Sequence, residues 1–553
     1  MRRAFALTLA IVGLLASAYW LSEKPGSAQP AVGSAAKPRV AQTLRLPILS
    51  ATAISTLDPI QSVEIAQYDL CNQIFEGLVK VDAYGEFAPA LAVRWETSDD
   101  FKTWRFFLRD ARFADDPAFP DGRGRHINAD DVLYSLKRGL SPQQGSKNSF
   151  ALSREVVRAI EFAEGKANEV PGLRSPQPGI IEIELKTGDR FFPTALTVPS
   201  NYVVAREAVE RYGAEFGRKP VGSGPFQLAR WEEGRRLVLN RNPNFGKGSG
   251  IQPKPAVLDR VEFRFFRSEA QMVTAYATGD IDVRPVVGAD LAATVGADLK
   301  TALRGAHPRA RIVEPGWILK LHLLAAQIGE RHSFFGGSPL ARRALRELLS
   351  QKLGAVEAFR GVGQIQDHIL PPRFLTTPVA APTLPDPTGE LKAALSGREV
   401  RVAYASSRIN DTVIRTLEEV LTDAGAKPTL FPSTSINALF GSLATVKPDL
   451  TLIYSSPYFP NASEFLTALL SNSRPVPNFT GFSSPRLDAL ALELRTGNRD
   501  PQRILTEVQQ VLDAEMPWIP LYAETPYYLV ASNVHGYTIN PVSVTQLSAV
   551  RVN

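Results

Sequence analysis

A run of short elements between residues 78 and 140 constrains the fold more than any other stretch of the chain. Residues 89–95 favour a short helical turn that presents an aromatic side chain to a core. Residues 103–108 alternate with a period of two after an acidic turn, which predicts a hairpin strand. A helix capped by Asn128 or Asp130 is predicted to follow. This order of elements predicts a subdomain of mixed α/β structure rather than a catalytic motif.

Five fragments in this part of the chain form an ordered set. They occupy residues 57–59, 75–78, 89–95, 106–109 and 129–132. Their sequences resemble the Leu-Asp-Pro, Phe-Glu-Gly-Leu, Pro-x-Leu-Ala-x-x-Trp, Phe-x-Leu-Arg and Ala-x-Asp-Val patterns of one family. That family is the family 5 extracellular solute-binding proteins, the periplasmic binding proteins of peptide-type ATP-binding cassette (ABC) importers. Each fragment alone is a weak signal, but five in order at plausible spacing make the resemblance specific.

Later fragments extend the resemblance to the rest of the chain. Residues 220–228 resemble the family's Pro-x-Gly-Thr-Gly-Pro-Tyr segment, and residues 516–522 resemble the segment that returns to the first lobe. The resemblance implies an α/β chain with the two-lobed type II periplasmic-binding-protein fold and an extra inserted subdomain, the three-domain type called cluster C. The expected domains are a signal peptide or membrane anchor (1–21), a flexible linker (22–42), lobe I (43–75, 201–312 and 517–553), the inserted subdomain (76–200) and lobe II (313–516).

The second half of the chain alternates strands and helices. Strands are predicted at 399–404 and 449–454, and a helix is predicted at 411–424 between them. Such β-α-β alternation predicts a mostly parallel sheet with helices on its faces.

The N-terminus has the features of a secretory signal. Arg2 and Arg3 precede an apolar run from residue 4 to 21, and residues 16–18 form an Ala-Ser-Ala cleavage site. The run is also nearly long enough to remain as an uncleaved anchor. Both alternatives place the body of the protein in the periplasm, behind a tether at 22–42 that is rich in Pro, Ala, Ser and Gly.

Charge and cysteine content exclude several classes of protein. The formal charge of the 553-residue chain is +6, and residues 1–42 hold five basic and one acidic side chain, so the remainder carries only +2. This gives no basis for nucleic-acid binding. Cys71 is the only cysteine, so no intramolecular disulfide can form, and its apolar neighbours predict a buried, inert thiol.

The sequence offers no recognisable catalytic or metal site. The six histidines are scattered without an H-x-x-x-H spacing, so no metal or cofactor is predicted. Ser223 stands between glycines, but the pattern is not G-x-S-x-G, and Pro225 prevents the helix that a nucleophile elbow needs. The chain is therefore predicted not to be an enzyme.

The segment 454–466 is the predicted ligand site, because it follows a strand at the edge where α/β sheets bind ligands. The resemblance implies an acid at the position of Tyr458, which in peptide-binding relatives pairs with the α-ammonium of the ligand, and a second acid at Asn461. Both charges are lost here, and a buried ammonium without a counter-charge costs several kcal/mol. The chain is therefore not expected to hold peptides in that way. The alternative interpretation is that Tyr458 is a packing residue. The predicted ligand contacts are Ser62, Trp317, Tyr404, Tyr454, Ser455 and Tyr458.

Three functions compete at this point. The leading one is a monomeric binding protein that closes two lobes over a peptide-like or other small polar solute and delivers it to an ABC permease in the cytoplasmic membrane. The alternative is a membrane-anchored sensor or scaffold with the same fold. A periplasmic hydrolase is the third, and it lacks a supporting motif.

Overall fold

The computed structural model describes most of the chain after residue 40. The described residues are 41–49, 54–62, 64–147, 149–286, 310–313, 320–328, 335, 337–356, 363–371, 374–375, 382–455, 462–463, 466, 480–524, 527–541 and 544–553. The predicted leader, nearly all of the tether, Trp317 and Tyr458 lie outside these residues. Among the helices that the structure describes, none combines the length and the apolar character that a membrane span requires.

Strands occur along the whole of the described chain. They are β1 Thr43–Leu49, β2 Val79–Val81, β3 Phe87–Pro89, β4 Ala92–Thr97, β5 Thr103–Leu108, β6 Leu173–Gln177, β7 Ile180–Glu184, β8 Phe226–Glu232, β9 Arg236–Arg241, β10 Arg260–Phe266, β11 Val283–Val286, β12 Ala310–Val313, β13 Leu321–Ala326, β14 Gly363–Ile365, β15 Glu399–Ala405, β16 Lys427–Ser433, β17 Leu450–Ser455, β18 Trp518–Glu524, β19 Tyr527–Ala531, β20 Val534–His535 and β21 Arg551–Val552.

Helices separate these strands. The α-helices are α1 Ile65–Ile74, α2 Ala129–Leu140, α3 Phe150–Ser153, α4 Ala159–Ala163, α5 Arg206–Tyr212, α6 Glu269–Ala277, α7 Pro339–Ala355, α8 Pro387–Leu395, α9 Arg408–Asp423, α10 Ile436–Val446, α11 Pro485–Thr496 and α12 Pro501–Glu515. Short 3-10 helices occupy Pro59–Gln61, Pro142–Gln144, Phe192–Thr197, Pro199–Asn201 and Gly213–Arg218.

The first sheet has the strand order β1-β10-β9-β8, and β1 runs parallel to β10. Alternate residues of β1 are buried, as its apolar alternation predicts, and they share a core with Leu70 and Ile74 of α1. Cys71 belongs to the same core and is fully buried, which confirms that prediction. Burial raises the pKa of its thiol to about 12, so the reactive thiolate is disfavoured.

A second, antiparallel sheet has the order β4-β5-β7-β6 and lies within the predicted inserted subdomain. The predicted strand at 103–108 is confirmed as β5, and Asn128 caps α2 by accepting a hydrogen bond from the backbone of Asp131 at 3.1 Å. The helical turn predicted at 89–95 is wrong: β4 covers most of that segment and pairs with β5. β4 and β5 form a hairpin across residues 98–102, and this pairing selects a strand for a short apolar run whose spacing is also compatible with a helical turn.

Two buried ion pairs connect the sequence fragments that carry the family resemblance. Arg138 of α2 donates two hydrogen bonds to Asp58, at 2.8 and 2.6 Å. Arg109 donates two to Glu76, at 2.8 and 2.7 Å, and the hydroxyl of Ser223 donates a third to Glu76 at 2.9 Å. These fragments therefore join the inserted segment to the first sheet, and Ser223 takes part in a structural network.

The largest sheet has the strand order β14-β18-β13-β17-β15-β16. Only β15 runs parallel to its neighbours β16 and β17, whereas the ladders β13-β17, β13-β18 and β14-β18 are antiparallel. The prediction of a mostly parallel sheet is therefore wrong, because β13, β14 and β18 come from distant parts of the chain.

Helices cover both faces of this sheet. Leu324 and Ala326 of β13 pack into an apolar layer with α7, α8 and α9. Leu323 and Ala325 of the same strand pack into the opposite layer with α10, α11 and α12. This doubly covered sheet is the arrangement expected for an α/β region.

A three-stranded sheet has the strand order β11-β19-β12. In sequence, its strands lie next to those of the first sheet and of the six-stranded sheet. The chain passes from β12 to β13 and from β18 to β19, so two connections link this sheet to the six-stranded one. Gln42–Asn553 form one compact unit, and the lobe boundaries given above stay a prediction.

Candidate functional site

Charged and aromatic side chains meet where β17, β13 and β18 lie side by side. His322 of β13 pairs in register with Tyr454 on one side and with Tyr522 on the other. The imidazole of His322 stacks on the ring of Tyr522 with centroids 4.2 Å apart, and its Nε2 lies 2.8 Å from Oε1 of Glu524. The ammonium of Lys320 lies 2.7 Å from the same oxygen.

Glu524 is the electrostatic centre of this group. Burial opposes its ionisation, but the hydrogen bond from His322 and the charge of Lys320 outweigh burial and lower the pKa of Glu524 to about 2. Burial also lowers the pKa of His322, against the effect of Glu524. At neutral pH the group therefore holds an ionised carboxylate beside a neutral imidazole and an ammonium.

Two of the predicted ligand contacts lie beside this group. Tyr454 is 44% exposed, and the Lys320 ammonium stands 4.7 Å from the centroid of its ring. Ser455 is half-buried and pairs in register with Leu321. Tyr454 and Ser455 are the last two residues of β17, so the strand end predicted at residue 454 is present.

Of the other predicted contacts, Tyr404 lies on the adjacent strand β15, where it pairs in register with Leu452, two residues before Tyr454 in β17. Ser62 is fully buried, and its hydroxyl lies 3.2 Å from the thiol of Cys71. Tyr404 belongs to the apolar layer beneath α9. Trp317 and Tyr458 are outside the described residues. The assignment of all six as ligand contacts stays a prediction.

A cavity of about 920 Å³ lies at the carboxyl end of β1. Its walls come from the last residues of β1, the first turns of α1, the strands β11 and β19, and the C-terminal segment around Ile539 and Thr545. This volume lies in the upper part of the range of small-molecule pockets. None of the predicted ligand contacts that the structure describes lines this cavity.

Asp69 is a carboxylate in the wall of the cavity. Its Oδ1 accepts a hydrogen bond from the backbone N–H of Thr545 at 2.9 Å and its Oδ2 accepts one from the Thr545 hydroxyl at 2.8 Å. Gln73 donates to Oδ1 at 3.3 Å. Burial nevertheless raises the pKa of Asp69 to about 6, against these hydrogen bonds.

Tyr528 and Tyr537 form an aromatic wall of the same cavity. Their ring centroids are 6.4 Å apart. Burial, together with the charges of Asp69 and Glu524, raises the pKa of Tyr528 to about 12. The field of Glu524 thus reaches a residue of the cavity wall.

The sequence patterns did not single out Asp69, Glu524, Tyr528 or Tyr537. The lining comes from segments more than 450 residues apart in sequence, such as Leu46 and Thr545, so their proximity leaves no local signal. One signal was available: Asp69 is an acidic residue directly before the buried pair Leu70 and Cys71 of an apolar helix face.

Known proteins resemble this chain in sequence. Residues 86–317 match the family model of bacterial extracellular solute-binding proteins, family 5 Middle. The resemblance to the family 5 extracellular solute-binding proteins is confirmed. The periplasmic oligopeptide-binding protein OppA of Escherichia coli is 28% identical over 235 residues, which are 42% of this chain and 41% of OppA. This alignment thus spans less than half the length of OppA.

Two further known proteins match over most of the chain. The peptide transport periplasmic protein SapA of Salmonella typhimurium is 25% identical over 502 residues, which are 85% of each chain. The solved structure of HbpA2 from Haemophilus parasuis superposes with a TM-score of 0.74 at 18% identity, and covers 92% of this chain and 100% of HbpA2. The predicted α/β, two-lobed periplasmic-binding-protein fold with an inserted subdomain is confirmed by this likeness.

Proposed function

We propose that this chain is the extracytoplasmic substrate-binding component of an ABC transporter. It takes up a peptide-like or other small polar solute in the periplasm and delivers it to a permease in the cytoplasmic membrane. The observation that carries this proposal is the cavity of about 920 Å³ at the carboxyl end of β1, in a chain with the fold of family 5 solute-binding proteins.

The proposed mechanism is closure of two lobes on the solute, without a chemical step. The strands that line the cavity, β11 and β19, belong to the sheet through which the chain passes to and from the six-stranded sheet. A movement between the two sheets would therefore alter the surroundings of the cavity directly. The protein acts as a monomer, and Ser223 has a structural partner in Glu76 rather than a catalytic one.

A solute screen by thermal shift tests the proposal. Dipeptides and oligopeptides, sugars, opines and metal chelates are added singly, and a bound solute raises the melting temperature in a concentration-dependent way, since it binds only the folded state. No stabilisation by any solute, in a protein that is correctly folded, would contradict the transport function.

Two tryptophan variants test whether the solute binds in the cavity. Ala66 is a half-buried residue of the cavity wall, so Ala66→Trp fills part of the cavity and should reduce the thermal shift. Ala270 is exposed on α6, away from the cavity, and Ala270→Trp is the matched control that should keep the full shift. Equal shifts in both variants would place the solute elsewhere.

A further inference from the structure

Asp69, a carboxylate of the cavity wall, accepts hydrogen bonds from neutral groups. Of the side chains that the structure describes, none with a positive charge pairs with Asp69, and its hydrogen-bond partners are the neutral groups of Thr545 and Gln73. A buried carboxylate in a folded protein normally has such a partner, because burial of an unpaired charge is costly. Asp69 therefore meets the solute space with an uncompensated charge.

The groups around Asp69 suit a cation. Tyr528 and Tyr537 line the same cavity, and the negative charge of Asp69 acts on both phenols. Aromatic rings attract cations through their faces, so a carboxylate beside two tyrosines is a favourable site for an ammonium or a guanidinium. The remaining charged groups of the lining are Glu64 and Lys147, both exposed at the cavity.

We propose that Asp69 receives a cationic group of the transported solute, an ammonium or a guanidinium, in the cavity at the end of β1. This inference rests on the proposed function and specifies the class of solute. The negative charge that would balance the cationic solute thus lies on α1, the helix that shares a core with β1. The two positions at which the family resemblance implies acids, Tyr458 and Asn461, carry no charge in this chain.

Asp69 also makes the recognition dependent on pH. Its carboxyl titrates near pH 6, whereas Tyr528 and Tyr537 remain protonated and neutral at that pH. Glu524 stays ionised throughout this range. A cationic solute should therefore bind more tightly at pH 7.5, where Asp69 is ionised, than at pH 5, where it is protonated.

Isothermal titration with defined probes tests the assignment. The cationic probes are lysyl-lysine, agmatine and spermidine, and the neutral probes are fully N-acetylated lysyl-lysine amide and glucose. At pH 7.5 we expect at least one cationic probe to bind and Asp69→Asn to weaken that binding at least tenfold. Asp488→Asn, at an exposed position of α11, is the matched control and should leave the affinity unchanged. Lowering the pH to 5 should weaken binding to the unaltered protein and leave Asp69→Asn unaffected.

The outcomes separate this inference from the proposed function. Binding of neutral solutes alone, or cation binding that Asp69→Asn leaves within twofold, would overturn the assignment of Asp69 and leave the binding function intact. Absence of binding by every probe and by every solute of the thermal-shift screen would overturn both. Circular dichroism of Asp69→Asn establishes that the variant is folded before either conclusion is drawn.

Discussion

The guanidinium of Arg495 donates to the carboxylate of Asp189 across 3.0 Å. The same guanidinium donates to Glu155 at 2.7 Å, and the backbone N–H of Arg190 donates to the carbonyl of Arg495 at 3.0 Å. Phe191 packs next to these groups against the apolar layer that contains α11. These contacts join the inserted segment to the region predicted as lobe II, so they connect two parts that closure would bring together.

Replacement of Arg495 should weaken this connection. Arg495→Ala leaves Asp189 and Glu155 without their cation and should lower the free energy of unfolding by about 2 kcal/mol, less than the loss of a fully buried pair. It should also increase the radius of gyration measured by small-angle scattering. Arg499→Ala is the control, because Arg499 pairs with Glu493 and Glu507 within its own region. An unchanged radius of gyration in Arg495→Ala would show that the contact does not hold the two parts together.

Glu524→Gln should destabilise the protein most at neutral pH. The pKa of Glu524 is depressed from 4.5 to about 2 in the fold, so its ionised form stabilises the fold above pH 4.5, and this contribution is lost as the pH falls through about 2. At pH 7 the variant should lose on the order of 2 kcal/mol in urea denaturation. The difference between the two proteins should shrink below pH 4.5. A difference that stays constant from pH 7 to pH 3 would contradict the role of the ionised carboxylate.

Asp69→Asn should have the opposite effect on stability. The pKa of Asp69 is raised from 3.8 to about 6, so the contribution of the protonated carboxyl is complete below pH 3.8 and is lost as the pH rises through about 6. Without added solute, the variant should therefore melt above the unaltered protein at pH 7.5 and close to it at pH 4. The measurement is calorimetry at both values of pH. If Asp69→Asn melted at a lower temperature than the unaltered protein at pH 7.5, the ionised carboxylate of Asp69 would not destabilise the fold.

The ion pair between Glu76 and Arg109 should contribute more to the free energy of unfolding than the hydrogen bond from Ser223 to Glu76. Glu76→Gln leaves the Arg109 guanidinium buried without a counter-charge and should cost about 3 kcal/mol. Ser223→Ala removes one hydrogen bond and should cost about 1 kcal/mol without changing solute binding. Urea denaturation and the thermal-shift screen measure the two effects. Loss of activity on a periplasmic substrate in Ser223→Ala, with stability retained, would instead support a hydrolase.

The local parts of the fold could be predicted from the sequence. The strand β1, the helix α1 and the cap of α2 at Asn128 each follow from a pattern within about a dozen residues, and all three are present. The strand directions of the six-stranded sheet could not be predicted, because β13 and β18 are paired across about 200 residues of chain. Pairing over such a distance depends on tertiary packing rather than on periodicity.

The candidate site also has one part that could be predicted from the sequence and one part that could not. Tyr454 was predicted from its place at a strand end, and the structure places it at an exposed position beside Lys320. The cavity could not be predicted, since its wall joins Leu46, Asp69 and Tyr528 from opposite ends of the chain. Charge alone did not reveal Asp69 either, because a single acid on a helix is ordinary until its surroundings are known.

Tyr528 lies within the field of two carboxylates that behave differently. Glu524 carries a permanent charge from about pH 3 upward, whereas the charge of Asp69 appears only near pH 6. The phenol of Tyr528 is thus a built-in reporter: its ring resonances in NMR should shift once, near pH 6, as Asp69 ionises. A cation seated on Asp69 would move that titration to lower pH, so one aromatic side chain would signal whether the cavity is occupied without any added label.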